Sequence, residues 1–142
     1  MQLLDVNILV EAHREDASKH GAVSAWLMHA LQTYAGVAVS ELVLTGFLRI
    51  VTHPKVFKEP TPLPEALEFV NDFRSRQSVR IAMPGDRHWE IFIAQVARYE
   101  ATGNLIPDAY HAALALEHGY IWVSLDRGFA RYTNLDWRHP LD

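Results

Sequence analysis

The 142-residue sequence contains no cysteine, which excludes both a disulfide framework and a thiolate-bound metal. No apolar run approaches the ~20 residues that a membrane-spanning helix requires. The first residues lack the basic leader and unbroken apolar stretch of a secretory signal, because Asp5 interrupts the first apolar run. The reading is therefore a cytoplasmic protein with no membrane association. Positive charge is not in excess either. Thirteen Lys and Arg residues against seventeen Asp and Glu give a formal charge of −4, so the chain as a whole does not attract nucleic acid. Any polyanion must be bound locally, and ten of the thirteen cations are Arg, whose fork suits phosphate oxygens.

What is present is a chain able to fold. Apolar residues make up 49%, which argues against disorder, and the length suits one domain over residues 1–142 with no linker, repeat or low-complexity segment. Gln2 to Asp5 reads as a short buried strand that passes directly into a helix. Ser18 to Leu31 carries a helical apolar face, and Gly36 to Val39 is a second strand. Ser40 is an N-cap for a helix that begins with Glu41 and stops near His53, before Pro54. Lys55 to Pro64 is a loop, and a helix runs on to about Arg76. Val79 to Ala82 is a third strand, and Arg87 to Ala101 a helix. Pro107 opens another helix, which Gly119 closes. Tyr120 to Ser124 is a fourth strand, and a strand-like piece at Leu135 to Trp137 ends the pattern. Short apolar strands alternating with helices specify an α/β fold with a mostly parallel, buried central sheet flanked by helices.

Four acids stand out on this frame. Asp5 ends the first strand, Glu41 follows the second, Asp126 follows the fourth, and Asp108 opens a helix expected beside them. In an open α/β sheet, ligands gather at the carboxyl ends of the strands, where the strand order reverses. All four acids have apolar neighbours: LLDVN, VAVSEL, IPDAY and VSLDR. Clustered carboxylates in such settings repel unless a cation compensates or some are protonated. A divalent ion resolves the conflict, and ligation by oxygen alone favours Mg²⁺ or Mn²⁺ over zinc. Each acid also has an ordinary explanation. Asp108 and Glu41 suit the first turn of a helix and Asp126 suits a turn, whereas Asp5 inside an apolar strand is the hardest to explain by structure alone.

The segments LLDVNILVEA, VSELVLTGFLRIVTHPKVF, NLIPDAYHAALALEHG and VSLDRGFARYTNLDWRHPL, in this order along the chain, resemble the PIN-domain ribonucleases, and within them the VapC-type toxins of bacterial toxin–antitoxin pairs. The resemblance implies a three-layer PIN-like fold. It also implies Asp5, Glu41, Asp108 and Asp126 as ligands of a metal that activates water for hydrolysis of RNA phosphodiester bonds. A homodimer and a VapB-like antitoxin partner follow from it too. One departure concerns the last motif, often Thr-x-Asp-x-Asp-Phe in the family and here Ser124 to Phe129. Ser124 keeps a hydroxyl, but Gly128 replaces the second acid, so one ion is expected, with a second recruited only alongside the substrate phosphate.

Around the acids, Asn7 and Ser124 are candidates for orienting a carboxylate or a metal-bound water. Arg14, Arg49, Arg127 and Arg131 are candidates for holding RNA phosphates. His111, three residues after Asp108, shares its helical face but is read as a surface or partner-facing residue. Trp26, Trp89, Trp122 and Trp137 are read as core. Two other functions fit less well. An acid-site phosphatase or phosphotransferase usually pairs two acids after the first strand or places a lysine late in the chain; here Val6 and Asn7 follow Asp5, and no lysine follows Lys58. A non-catalytic PIN-like module binding RNA or protein gives no reason to keep a repulsive acid cluster.

Overall fold

A computed structural model describes all 142 residues. Five parallel strands form one sheet in the order β3-β2-β1-β4-β5, comprising β1 (Gln2–Leu4), β2 (Val37–Val39), β3 (Val79–Ile81), β4 (Ile121–Val123) and β5 (Trp137–Arg138). The helices are α1 (Val6–His13), α2 (His20–Gln32), α3 (Glu41–Val51), α4 (Leu63–Ser75), α5 (His88–Arg98) and α6 (Leu105–His118), with a short 3-10 turn at Arg127–Arg131. The chain steps leftward from β1 to β3, then crosses to the other side of β1 to form β4 and β5. Right-handed crossovers in opposite directions put their helices on opposite faces. The result is a three-layer α/β sandwich, with α1 to α4 on one face and α5 with α6 on the other.

This order fixes a switch point between β1 and β4, the place where a doubly wound sheet opens a crevice. The strands are apolar because the sheet is covered on both faces: Leu3, Leu4, Val37, Ala38, Val39, Trp122 and Val123 are fully buried. Ala109, Ala112, Ala113 and Ala115 are equally buried on α6. Their small side chains let that helix lie close to the sheet and to α5, with its first turn beside the switch point.

Helix boundaries follow local chemistry. The Ser40 hydroxyl accepts from Val43 N at 3.1 Å and caps α3 as expected. Gly119, at φ +68°, ends α6 in the left-handed conformation that glycine adopts without strain. Pro107 does not open α6 but is its third residue, a place where its missing N–H is still not needed. Pro64 similarly stands second in α4, and the last strand lies one to two residues beyond its expected place. Of the four tryptophans, Trp122 is fully buried, whereas Trp89 projects from α5 into solvent instead of joining the core. No helix is long and apolar enough to cross a membrane.

Candidate active site

Asp5 lies at the junction of β1 and α1, and both neighbours constrain it. Its backbone N–H continues the sheet by donating to Val123 O at 2.9 Å. Its side chain caps α1, with Oδ1 accepting from Val6 N at 2.7 Å. The other oxygen, Oδ2, accepts the Ser124 hydroxyl at 2.6 Å and Asn7 Nδ2 at 3.1 Å. Asn7 also donates to Ser124 Oγ at 3.0 Å and accepts from Leu125 N at 3.1 Å. Ser124 Oγ in turn accepts from Asp126 N at 3.0 Å. Asn7 and Ser124 thus lock the ends of β1 and β4 together around one carboxylate.

The electrostatics of the site run against ionisation. Burial pushes the Asp5 carboxyl up to about 6, despite the hydrogen bonds from Ser124 and Val6, and the charges of Asp108 and Asp126 push it in the same direction. Asp108, half-buried in the first turn of α6, is raised by burial and by Asp126, with only Arg131 acting the other way. Asp126 is exposed and holds its own turn, its Oδ1 accepting from Gly128 N at 2.8 Å. Three acids thus run from the buried end of β1 to the surface. Folding brings like charges together here, a repulsion that a cation among them would relieve. No three His, Asp or Glu side chains are grouped closely enough to hold a metal ion.

Glu41 differs from the other three. It is the first residue of α3 and exposed, and its carboxylate is paired with Arg74 of α4 at 3.2 Å. It is not among the charges that perturb Asp5 or Asp108. The expected four-acid cluster is thus a three-acid cluster, with Glu41 outside it and paired with Arg74. Arg74 was missed because nothing in the sequence links residues 33 positions apart.

The four candidate arginines also separate. Arg14 is not available to RNA, which corrects the expectation. It is buried, pairs with Asp16 through two nitrogens at 2.9 and 2.6 Å, donates to Glu59 O and Thr61, and lies 4.0 Å over the Phe57 ring. It fastens the loop between α3 and α4. Arg127 is exposed but held by the Asp142 carboxylate through two bonds of 3.0 and 2.8 Å. Arg131 donates to Gly128 O at 3.1 Å and acts electrostatically on Asp108. Arg49 is exposed and has no ion-pair partner.

Acids at the switch point of a five-stranded parallel sheet define a class, and sequence comparison agrees with it: the PIN domain family matches residues 3–135. The chain is 41% identical to the VapC ribonuclease Mb2897 of Mycobacterium bovis, over all of this chain and 97% of that protein. Among solved structures it superposes on Mycobacterium tuberculosis VapC20, a sarcin–ricin loop cleaving toxin, with a TM-score of 0.72 and 14% identity, covering 97% of this chain and 99% of that one. It also superposes on a toxin–antitoxin complex from Klebsiella pneumoniae, with a TM-score of 0.62 and 17% identity, covering 99% and 98%. The chain belongs to the PIN domain family, and within it to the VapC ribonucleases.

Proposed function

We propose that this protein is a metal-dependent endoribonuclease that acts as the toxin of a type II toxin–antitoxin pair. The observation that carries the reading is Asp5, a buried carboxylate fixed on three sides and repelled by Asp108 and Asp126. Clustered carboxyls with raised pKa values are characteristic of functional sites. Asp5, Asp108 and Asp126 would hold Mg²⁺ or Mn²⁺, with Glu41 as the fourth acid. When bound, the ion supplies a more acidic water and a positive charge facing the scissile phosphate.

The side chains divide the remaining work. Ser124 and Asn7 hold Asp5 in one rotamer, so that no ordering is needed when the ion binds. Burial around Asp5 lowers the local dielectric and strengthens each charge interaction there. Arg131, beside Asp108, offsets part of the negative field that an approaching phosphate must enter. Gly128 contributes no side-chain oxygen, which supports a single resident ion.

An antitoxin partner is supported by the similarity to a toxin–antitoxin complex, and a homodimer remains part of the same reading. The antitoxin would silence the enzyme by directing a basic side chain into the acid cluster. The test is RNA cleavage by the purified chain with Mg²⁺ or Mn²⁺ and with EDTA, alongside Asp5→Asn and Asp108→Asn. Cleavage that needs the ion and both acids supports the proposal, and EDTA-resistant cleavage contradicts it.

A further inference from the structure

A groove of about 230 Å³ opens where α1, α3 and α6 meet. Val6, Leu42 and Pro107 form apolar walls, and Thr45, Arg49 and His111 supply the polar groups. Val6 adjoins Asp5 in the chain, and Pro107 adjoins Asp108, so the groove begins beside the acids. No acid lines it, which separates it from the other surface depressions. The trough around Arg14 is ringed by Glu15, Asp16, Glu59 and Glu65, a lining that repels a polyanion. The pocket beside Glu41 and Tyr110 contains no cation.

His111 is built into this groove. Its ring stacks on Trp122 with centroids 5.2 Å apart and planes 15° from parallel, which fixes its orientation. Nδ1 is sealed inside without a partner, whereas Nε2 is neither sealed nor hydrogen-bonded within the protein. A buried N–H without an acceptor is rarer than a buried acceptor without a donor. That preference puts the proton on Nε2, the nitrogen that meets the groove. Burial holds the imidazole down at about 4, with His88 acting in the same direction. The ring is thus a neutral donor that adds no charge to compete with a metal ion.

We propose that this groove is a phosphodiester subsite, in which Arg49 pairs with the phosphate next to the one cleaved and His111 Nε2–H donates to the same phosphate. The proposal rests on the ribonuclease reading above. It makes both residues substrate-positioning groups and gives an acidic protein a local place to hold a polyanion. A phosphate contact from Arg49 helps set the register of the strand in the crevice.

The experiment combines variants with short RNA substrates that carry one uncharged methylphosphonate, moved linkage by linkage along the strand. For Arg49→Gln, KM is expected to rise about tenfold with little change in kcat, in keeping with loss of a charge-assisted contact. The dependence of log K on log salt should flatten by about 0.7, the loss of one single-strand phosphate contact. One flanking methylphosphonate should weaken the natural protein at least as much and cost Arg49→Gln far less, only the charge-assisted part of the His111 contact. His111→Phe keeps an aromatic ring against Trp122 and loses the donor; it should raise KM several-fold on the charged substrate, again with little change in kcat. Arg49→Gln alters an exposed residue, so the test stands even if His111→Phe folds poorly. Cleavage by both variants with unchanged KM and salt dependence overturns the subsite and leaves the ribonuclease reading intact. Arg49-dependent binding of the same RNAs without any cleavage supports the subsite and overturns the ribonuclease reading.

Discussion

Ser124 donates its hydroxyl hydrogen to Asp5 Oδ2 at 2.6 Å, joining the ends of two adjacent parallel strands that are 119 residues apart in sequence. The same oxygen of Ser124 accepts the backbone N–H of Asp126. One hydroxyl therefore orients two of the acids, and this contact ties the fold to the chemistry of the site.

Ser124→Ala breaks both contacts and leaves Asp5 with less stabilisation of its charge, so its carboxyl rises further. Activity at fixed Mg²⁺ is expected to fall roughly 10- to 100-fold, the usual cost of losing a group that orients a metal ligand. Ser124→Thr, which keeps the hydroxyl and restores the residue common in the family, should retain most activity. A Mg²⁺ titration of RNA cleavage reads both effects.

Stability without metal should depend on pH in an unusual direction. An unfolded Asp ionises near 3.8, whereas folded Asp5 keeps its proton to about 6. Between those values the folded chain binds more protons than the unfolded chain, so stability falls as pH rises from about 4 to about 6 and levels off above. Asp5→Asn removes this contribution and can still cap α1. In EDTA the variant should lose the slope between about pH 4 and pH 6, and adding Mg²⁺ should stabilise the natural protein more than the variant. Urea denaturation across this pH range measures the slope.

Arg14 serves the fold. Arg14→Gln leaves Glu59 O and Thr61 short of a donor and removes the guanidinium from the Phe57 ring. A loss of about 2 kcal/mol is expected, with RNA affinity of the folded protein unchanged. Denaturation and RNA-binding titrations on the same preparation separate the two roles, and a selective loss of RNA binding would reverse the assignment.

The Arg74–Glu41 pair is exposed on both sides, so Arg74→Gln should alter stability by less than about 1 kcal/mol. It frees the Glu41 carboxylate from its only ion-pair partner. The Mg²⁺ concentration for half-maximal activity is expected to fall several-fold. An unchanged metal requirement would argue that Glu41 takes no part in holding the ion.

The strands, the Ser40 cap, the Gly119 stop and the placement of Asp5 at a strand end were legible in the sequence because each depends on neighbours in the chain. The α/β alternation also gave the parallel sheet, and through it the approach of Asp5 to Asp126. Partnerships across the fold were not legible. Arg14 looked like an exposed cation because its partners include backbone carbonyl and ring groups some 45 residues away. Glu41 looked equivalent to the other acids because Arg74 reaches it from a separate helix. His111 looked like a surface or partner-facing residue, yet its ring is largely buried against Trp122, a contact that only the fold arranges.

The central claim is that the acids at the switch point hold a divalent ion for RNA cleavage. Isothermal titration of the purified chain with Mn²⁺, paired with cleavage of a short RNA by the same samples, tests it most directly. The natural protein should bind one ion in the absence of RNA and cleave only when that ion is bound. Asp5→Asn and Asp108→Asn should lose both properties while remaining folded. RNA cleavage of undiminished rate by either variant, or by the natural protein after complete removal of metal, would contradict the account.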